Sequence, residues 1–160
     1  MKTIFLLSIA VLAAGSVRSS AEADPAKPAA ETAALRLSGT SWKLLKIAHP
    51  EDKIHTPDDP LEYTFAFHPD GRLTARIDCN RGKGTWSTAE PGKISFGPMA
   101  STIMLCPPGS LDRFVFKDLP NFTSYSLKEG KLFLSLKDDG GIYEFAPHTE
   151  KPTRKTFKVP

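Results

Sequence analysis

Cys79 and Cys106 are the chain's two cysteines, and a thiol can cross-link, ligate a metal or act as a nucleophile. A structural zinc site needs four ligands, and neither cysteine has a histidine spaced beside it, so no metal is expected. No cofactor is expected either. Export to an oxidising compartment would favour a Cys79–Cys106 disulfide; two buried thiols acting as small apolar groups are the alternative. In the chain-entropy account the closed loop would stabilise the fold by roughly 3 to 4 kcal/mol.

Ser101 and Thr102 lie on a run of small residues and could serve an envelope hydrolase as nucleophiles. No Gly-x-Ser-x-Gly elbow encloses them and no His–Asp pair is spaced for them, so their hydroxyls are expected to bond backbone groups at a strand end. His49, His55, His68 and His148 fall among prolines and charges and read as solvated side chains. Gly82-Lys83-Gly84 does not open a helix after a parallel strand, as a phosphate loop would, and is expected to form a hairpin turn. Asp138-Asp139-Gly140-Gly141 lacks the downstream ligands of a calcium loop. Asn121-Phe122-Thr123 matches the glycosylation acceptor pattern. No residue is nominated as catalytic, and the chain is not expected to be an enzyme.

The elements that would position these residues are mostly strands. Leu61, Tyr63, Phe65 and Phe67 alternate with polar or small residues, and after Pro69-Asp70-Gly71 the alternation resumes at Leu73, Ala75, Ile77 and Cys79. Period two on both sides of a turn signal predicts a β-hairpin with the Cys79 sulfur pointing inward. Further strands are predicted at 41–47, 84–88, 93–96, 123–127, 131–136 and 142–145, separated by Gly- and Pro-containing turns. Ser110 would cap an amphipathic helix with Leu111, Phe114, Val115 and Leu119 on one face and Pro120 stopping it. The expected fold is mainly β (α+β): a compact antiparallel barrel-like sheet of about eight short strands with one amphipathic helix over a face or mouth. Trp42, Trp86, Phe65 and Phe67 are expected in the core rather than on a sugar- or lipid-binding platform.

A basic start, an apolar run from Ile4 to Ala14 and Ala21-Glu22-Ala23 describe a cleaved secretory signal over residues 1–23, too short to span a membrane. The signal carries no lipidation cysteine, and the mature protein is expected to be periplasmic or secreted. Removing Lys2, Arg18 and Glu22 leaves 19 basic against 17 acidic side chains, a net charge of +2 from +3. Such a balance does not point to nucleic acid. Residues 24–34, rich in Ala and Pro, read as a flexible lead-in, 35–147 as one domain and 148–160 as a basic, disordered tail.

Several runs together resemble the META domain, the family of a heat-inducible bacterial envelope protein (HslJ-like). They are Gly39-Thr40-Ser41-Trp42-Lys43-Leu44, Phe65-x-Phe67 with Asp70-Gly71-Arg72, Cys79-Asn80-Arg81, the stretch from Phe96 through Met99-Ala100-Ser101-Thr102 to Cys106-Pro107, Gly130-Lys131-Leu132 and Tyr143-Glu144-Phe145. The chain departs from the family in having Ile103 where a basic residue is usual, and Gly82 where an aromatic usually follows Cys-Asn-Arg. The resemblance implies a barrel with one helix, similar to the pilot proteins of type III secretion, and links to envelope stress, drug tolerance and secretion without an enzyme activity. The function expected is therefore a non-enzymatic, monomeric module that binds another envelope protein or an apolar ligand. A purely structural, disulfide-stabilised stress protein is the alternative. Asn80, Arg81 and Ser101, on the solvent side of the motif loops, are the candidate interaction residues.

Overall fold

The computed structural model describes residues 37–50 and 53–149. The proposed signal, the lead-in and the tail beyond Thr149 lie outside the described residues. No helix among those residues is long and apolar enough to cross a membrane.

Ten strands follow in chain order: β1 Thr40–His49, β2 Lys53–His55, β3 Tyr63–Phe67, β4 Arg72–Ile77, β5 Asn80–Ser87, β6 Ser95–Phe96, β7 Ala100–Ser101, β8 Phe122–Lys128, β9 Lys131–Leu136 and β10 Ile142–Pro147. Eight of them run antiparallel in the order β6-β5-β4-β3-β1-β10-β9-β8, with β2 added to β1 and β7 to β5. The two ends of this path approach each other. Ile94 N donates to Thr123 O at 3.1 Å and Tyr125 N to Gly92 O at 2.9 Å, so the segment before β6 bonds β8 and nearly closes the barrel.

Alternation dictates which residues fill it. β3 buries Tyr63, Phe65 and Phe67, β4 buries Leu73, Ala75 and Ile77, and β9 buries Leu132, Leu134 and Leu136, because successive side chains of a strand point to opposite faces. On β1 a register shift between Leu44 and Lys46 changes the phase, so that Ile47 follows Trp42 and Leu44 inward. The interior is occupied by the protein's own rings: Phe65 packs on Phe145 with centroids 5.4 Å apart, Phe67 on Trp86 at 5.1 Å and Phe122 on Tyr143 at 4.8 Å. Trp42, Trp86, Phe65 and Phe67 are thus core residues.

An α-helix, α1, spans Asp112–Asp118 and continues as a 3-10 turn over Leu119–Asn121. Proline follows as the second residue of the 3-10 turn, where its missing N–H costs little. Ser110 lies one residue before the capping position; its Oγ accepts from Asp112 N at 3.2 Å, and Tyr63 Oη accepts from Leu111 N at 2.9 Å. Leu111, Val115 and Leu119 are buried against the sheet, with Phe114 half-buried.

Three further expectations fail for local reasons. Leu61 is not an inward strand residue; it is 47% exposed in a 3-10 turn, Pro60–Glu62, that Asp59 caps through its side chain. Gly82-Lys83-Gly84 is not a turn but the middle of β5, paired to β4 on one side and, at Gly82 and Lys83, to β7 on the other. The turn comes earlier, at Asp78-Cys79, between the paired residues Ile77 and Asn80; Asp78 adopts φ 55°. Alternation therefore ends at Ile77, and Cys79 sits half-buried at the turn rather than pointing into the core.

Candidate interaction surface

The turn at Asp78-Cys79 and the segment 98–106 form one unit. Cys79 and Cys106 are joined in a disulfide, with Cα atoms 5.5 Å apart. Between them lies Asn80, 2% exposed, whose amide serves both backbone groups of one residue: Oδ1 accepts from Met104 N at 2.8 Å and Nδ2 donates to Met104 O at 3.1 Å. The same Oδ1 accepts from Thr102 Oγ1 at 2.9 Å, and that hydroxyl accepts from Arg81 N at 2.9 Å. Asn80 thus copies the hydrogen bonding of a neighbouring strand to a segment that has left the sheet.

Ahead of this loop the chain presses onto β5. A Cβ at Gly82 would lie 2.3 Å from Met99 Sδ, and one at Gly84 would lie 3.1 Å from Pro98 O. Glycine at these places lets residues 98–101 lie across the strand, which is why a pair resembling a turn signal occupies a strand interior.

Fixing the backbone at Met104 turns the flanking side chains outward. Ile103 is 94% exposed, Met104 61% and Leu105 89%. Three consecutive large apolar residues are thus presented on a loop anchored at one end by Thr102 bonded to β5 and at the other by Cys106. Ordering such a loop costs little more on binding, since its backbone is already held. The sequence carried a signal for this: three apolar residues in a row break period two and cannot all face a core.

The expected interaction residues separate by role. Asn80 is internal to the loop rather than solvent-facing. Arg81 is exposed, and its Nη1 donates to Asp78 O at 2.9 Å and Asn80 O at 3.0 Å, closing the turn. Ser101 is exposed on β7, beside Gly82. The Thr102 hydroxyl is used in the backbone and amide bonds above and has no histidine beside it, so the pair Ser101 and Thr102 is not assembled as a nucleophile with a base.

Elsewhere, His49 corrects the picture of solvated histidines. Its Nε2 lies 3.0 Å from Asp118 Oδ2, which also accepts from the buried Tyr143 hydroxyl at 2.7 Å. Burial, followed by the bond to Asp118, pushes the Tyr143 hydroxyl far above the ordinary tyrosine range, so it remains a donor. The cluster fastens α1 to β1 and β10. His55 packs on Phe114 of the same helix, with centroids 4.5 Å apart. An apolar groove of about 440 Å³ lies by the end of this helix, between Phe96, Pro98 and Met99 on one wall and Phe116, Leu119 and Pro120 on the other. No grouping of metal-ligating side chains occurs among the described residues.

A small, nearly closed antiparallel barrel, covered by one helix and carrying a disulfide-pinned apolar loop, defines the class of domain. The sequence profile of the META domain matches residues 35–150, and the chain belongs to the META domain family. Two solved structures share the fold. A protein from Burkholderia xenovorans, determined by NMR, is 24% identical, with 85% of this chain and 99% of that one covered at a TM-score of 0.62. A DUF4847 family protein from Bacteroides vulgatus, determined by crystallography, is 14% identical, with 71% and 96% covered at a TM-score of 0.53. No curated protein matches.

Proposed function

We propose that this protein is an exported, non-enzymatic module that docks onto another envelope protein through the loop Ile103-Met104-Leu105, in the envelope-stress setting that the family implies. The observation that carries this reading is a run of three exposed apolar side chains on a backbone already fixed by Asn80 and by the Cys79–Cys106 link. Large apolar side chains held in water are what a partner's pocket would bury, and an anchored loop meets it without first being ordered. The reading also rests on the META family membership. The groove beside Leu119 favours a second reading, an apolar ligand, because its walls are largely side-chain carbon.

A photo-reactive residue placed at position 103 in cells tests the docking reading. One discrete cross-linked envelope protein is expected, and Leu105→Asp should abolish it. Failure to form an adduct, or the same adduct from the exposed control position Ile142, would overturn it.

A further inference from the structure

The outward face of β1, β3, β4, β5 and β7 carries two cross-strand rows. Register places Lys43 beside Thr64, Thr64 beside Arg76 and Arg76 beside Arg81, with Thr102 bonded next in line. The adjacent row runs Ser41, Ala66, Thr74, Lys83, Ala100. Residues in such a row share one face, so four cations stand over a floor of small and hydroxyl-bearing side chains. The face is hollow. One cavity of about 500 Å³ is lined by Ser41, Thr64, Thr74, Arg76, Arg81 and His148. A second of about 530 Å³ shares Thr74, Ala75 and Arg81 with it and continues along Lys83, Ser101 and Thr102.

Arg76 and Arg81 face each other directly across β4 and β5. Like charges so placed weaken a sheet, which makes their pairing a poor choice for stability alone. Glu62 offsets one of them by pairing with Arg76 Nη2, yet Arg76 Nε is buried with no partner. The bonds that Arg81 makes to backbone carbonyls run from Nη1. The Thr74 hydroxyl is held by His68 Nε2 at 3.0 Å.

We infer that this trough is a binding site for a phosphate group, gripped between Arg76 and Arg81 with Lys83 and the hydroxyls of Thr64 and Thr74 around it. Guanidinium forks arriving from two strands, with hydroxyl donors from the floor, suit a tetrahedral oxyanion with several acceptor oxygens. A sugar platform fits poorly, since both tryptophans are in the core. The phosphate could be free or the headgroup of a lipid; the donors see the same group.

The test is a titration of the full chain, followed by the amide and Arg Nε NMR signals, with sodium phosphate against sodium chloride at matched ionic strength. Saturable shifts at Thr64, Thr74, Arg81 and Lys83 are expected with phosphate alone, weakened about tenfold in Arg81→Gln. Because Arg81 also closes a turn, Lys83→Gln is the second variant; its amine makes no bond among the described residues, and it too should weaken binding. Vesicles of phosphatidylglycerol, against phosphatidylcholine alone, separate the sources: perturbation of the same signals by the former identifies a headgroup, and binding of soluble phosphate only identifies a free phosphoryl compound. Shifts that follow ionic strength regardless of anion, or saturation unchanged in both variants, would overturn the proposal.

Discussion

Asn80 does more for this protein than its size suggests. Replacing it with Ala removes an acceptor shared by Thr102 Oγ1 and Met104 N and the donor to Met104 O. Several polar groups near the loop would lose their partners together, and a loss of about 3 kcal/mol is expected in urea unfolding, with the amide of Met104 newly open to hydrogen exchange. Gly82 is the complementary case, where nothing can be added. Gly82→Ala meets Met99 Sδ and should cost about 1–3 kcal/mol. Met99→Ala in the same chain should recover part of that loss, and a double-mutant cycle measures the coupling. Neither role is legible from neighbours in sequence. Cys79-Asn80-Arg81 stood out as a motif, but what Asn80 bonds lies more than twenty residues away, and Gly82 and Gly84 read as a turn because their reason for being glycine is Met99 and Pro98.

Among the elements, those with an uninterrupted period were legible. The hairpin of β3 and β4 could be read from its alternation, and β8 and β9 from theirs, with Glu129 and Gly130 at φ 51° and 71° supplying the left-handed pair that a two-residue hairpin needs. The helix was legible in position, whereas the inward bonding of Asp118 with Tyr143 and His49 was not, because those partners lie on distant strands. β10 supplies a pH dependence. Hydrogen bonds from Lys131 at 2.6 Å and then Lys46 at 3.0 Å hold the Glu144 carboxyl below the usual glutamate range. A depressed carboxyl contributes stability above its unfolded value and loses that contribution as pH falls through the folded one. The urea midpoint should therefore drop between about pH 5 and about pH 3, and Glu144→Gln should show a shallower drop over that window. Tyr143 acts at the other extreme: its raised value means that the folded state resists ionisation, so stability declines once pH rises above the ordinary tyrosine value.

At the scale of the whole molecule, two sets of changes should separate. Reduction of the Cys79–Cys106 link, which spans 27 residues, should lower unfolding stability by roughly 3 to 4 kcal/mol, read as a fall in the thermal midpoint under reductant. Ile103→Ser with Leu105→Ser should leave unfolding stability within about 0.5 kcal/mol of the parent, because both side chains already face water. Binding lost without stability lost would assign the loop to function, whereas reduction removes both. The sheet order also bears on how the chain assembles. β1, the first of the described strands, is central and pairs along most of its length with β10, the last of them. Contacts so far apart in sequence close slowly, and until Ile142–Pro147 arrives the apolar side of β1 has an open edge. A growing chain therefore cannot bank a finished half: the fold is completed only when its final strand is delivered, and any truncation before that strand leaves an aggregation-prone edge in place of a smaller domain.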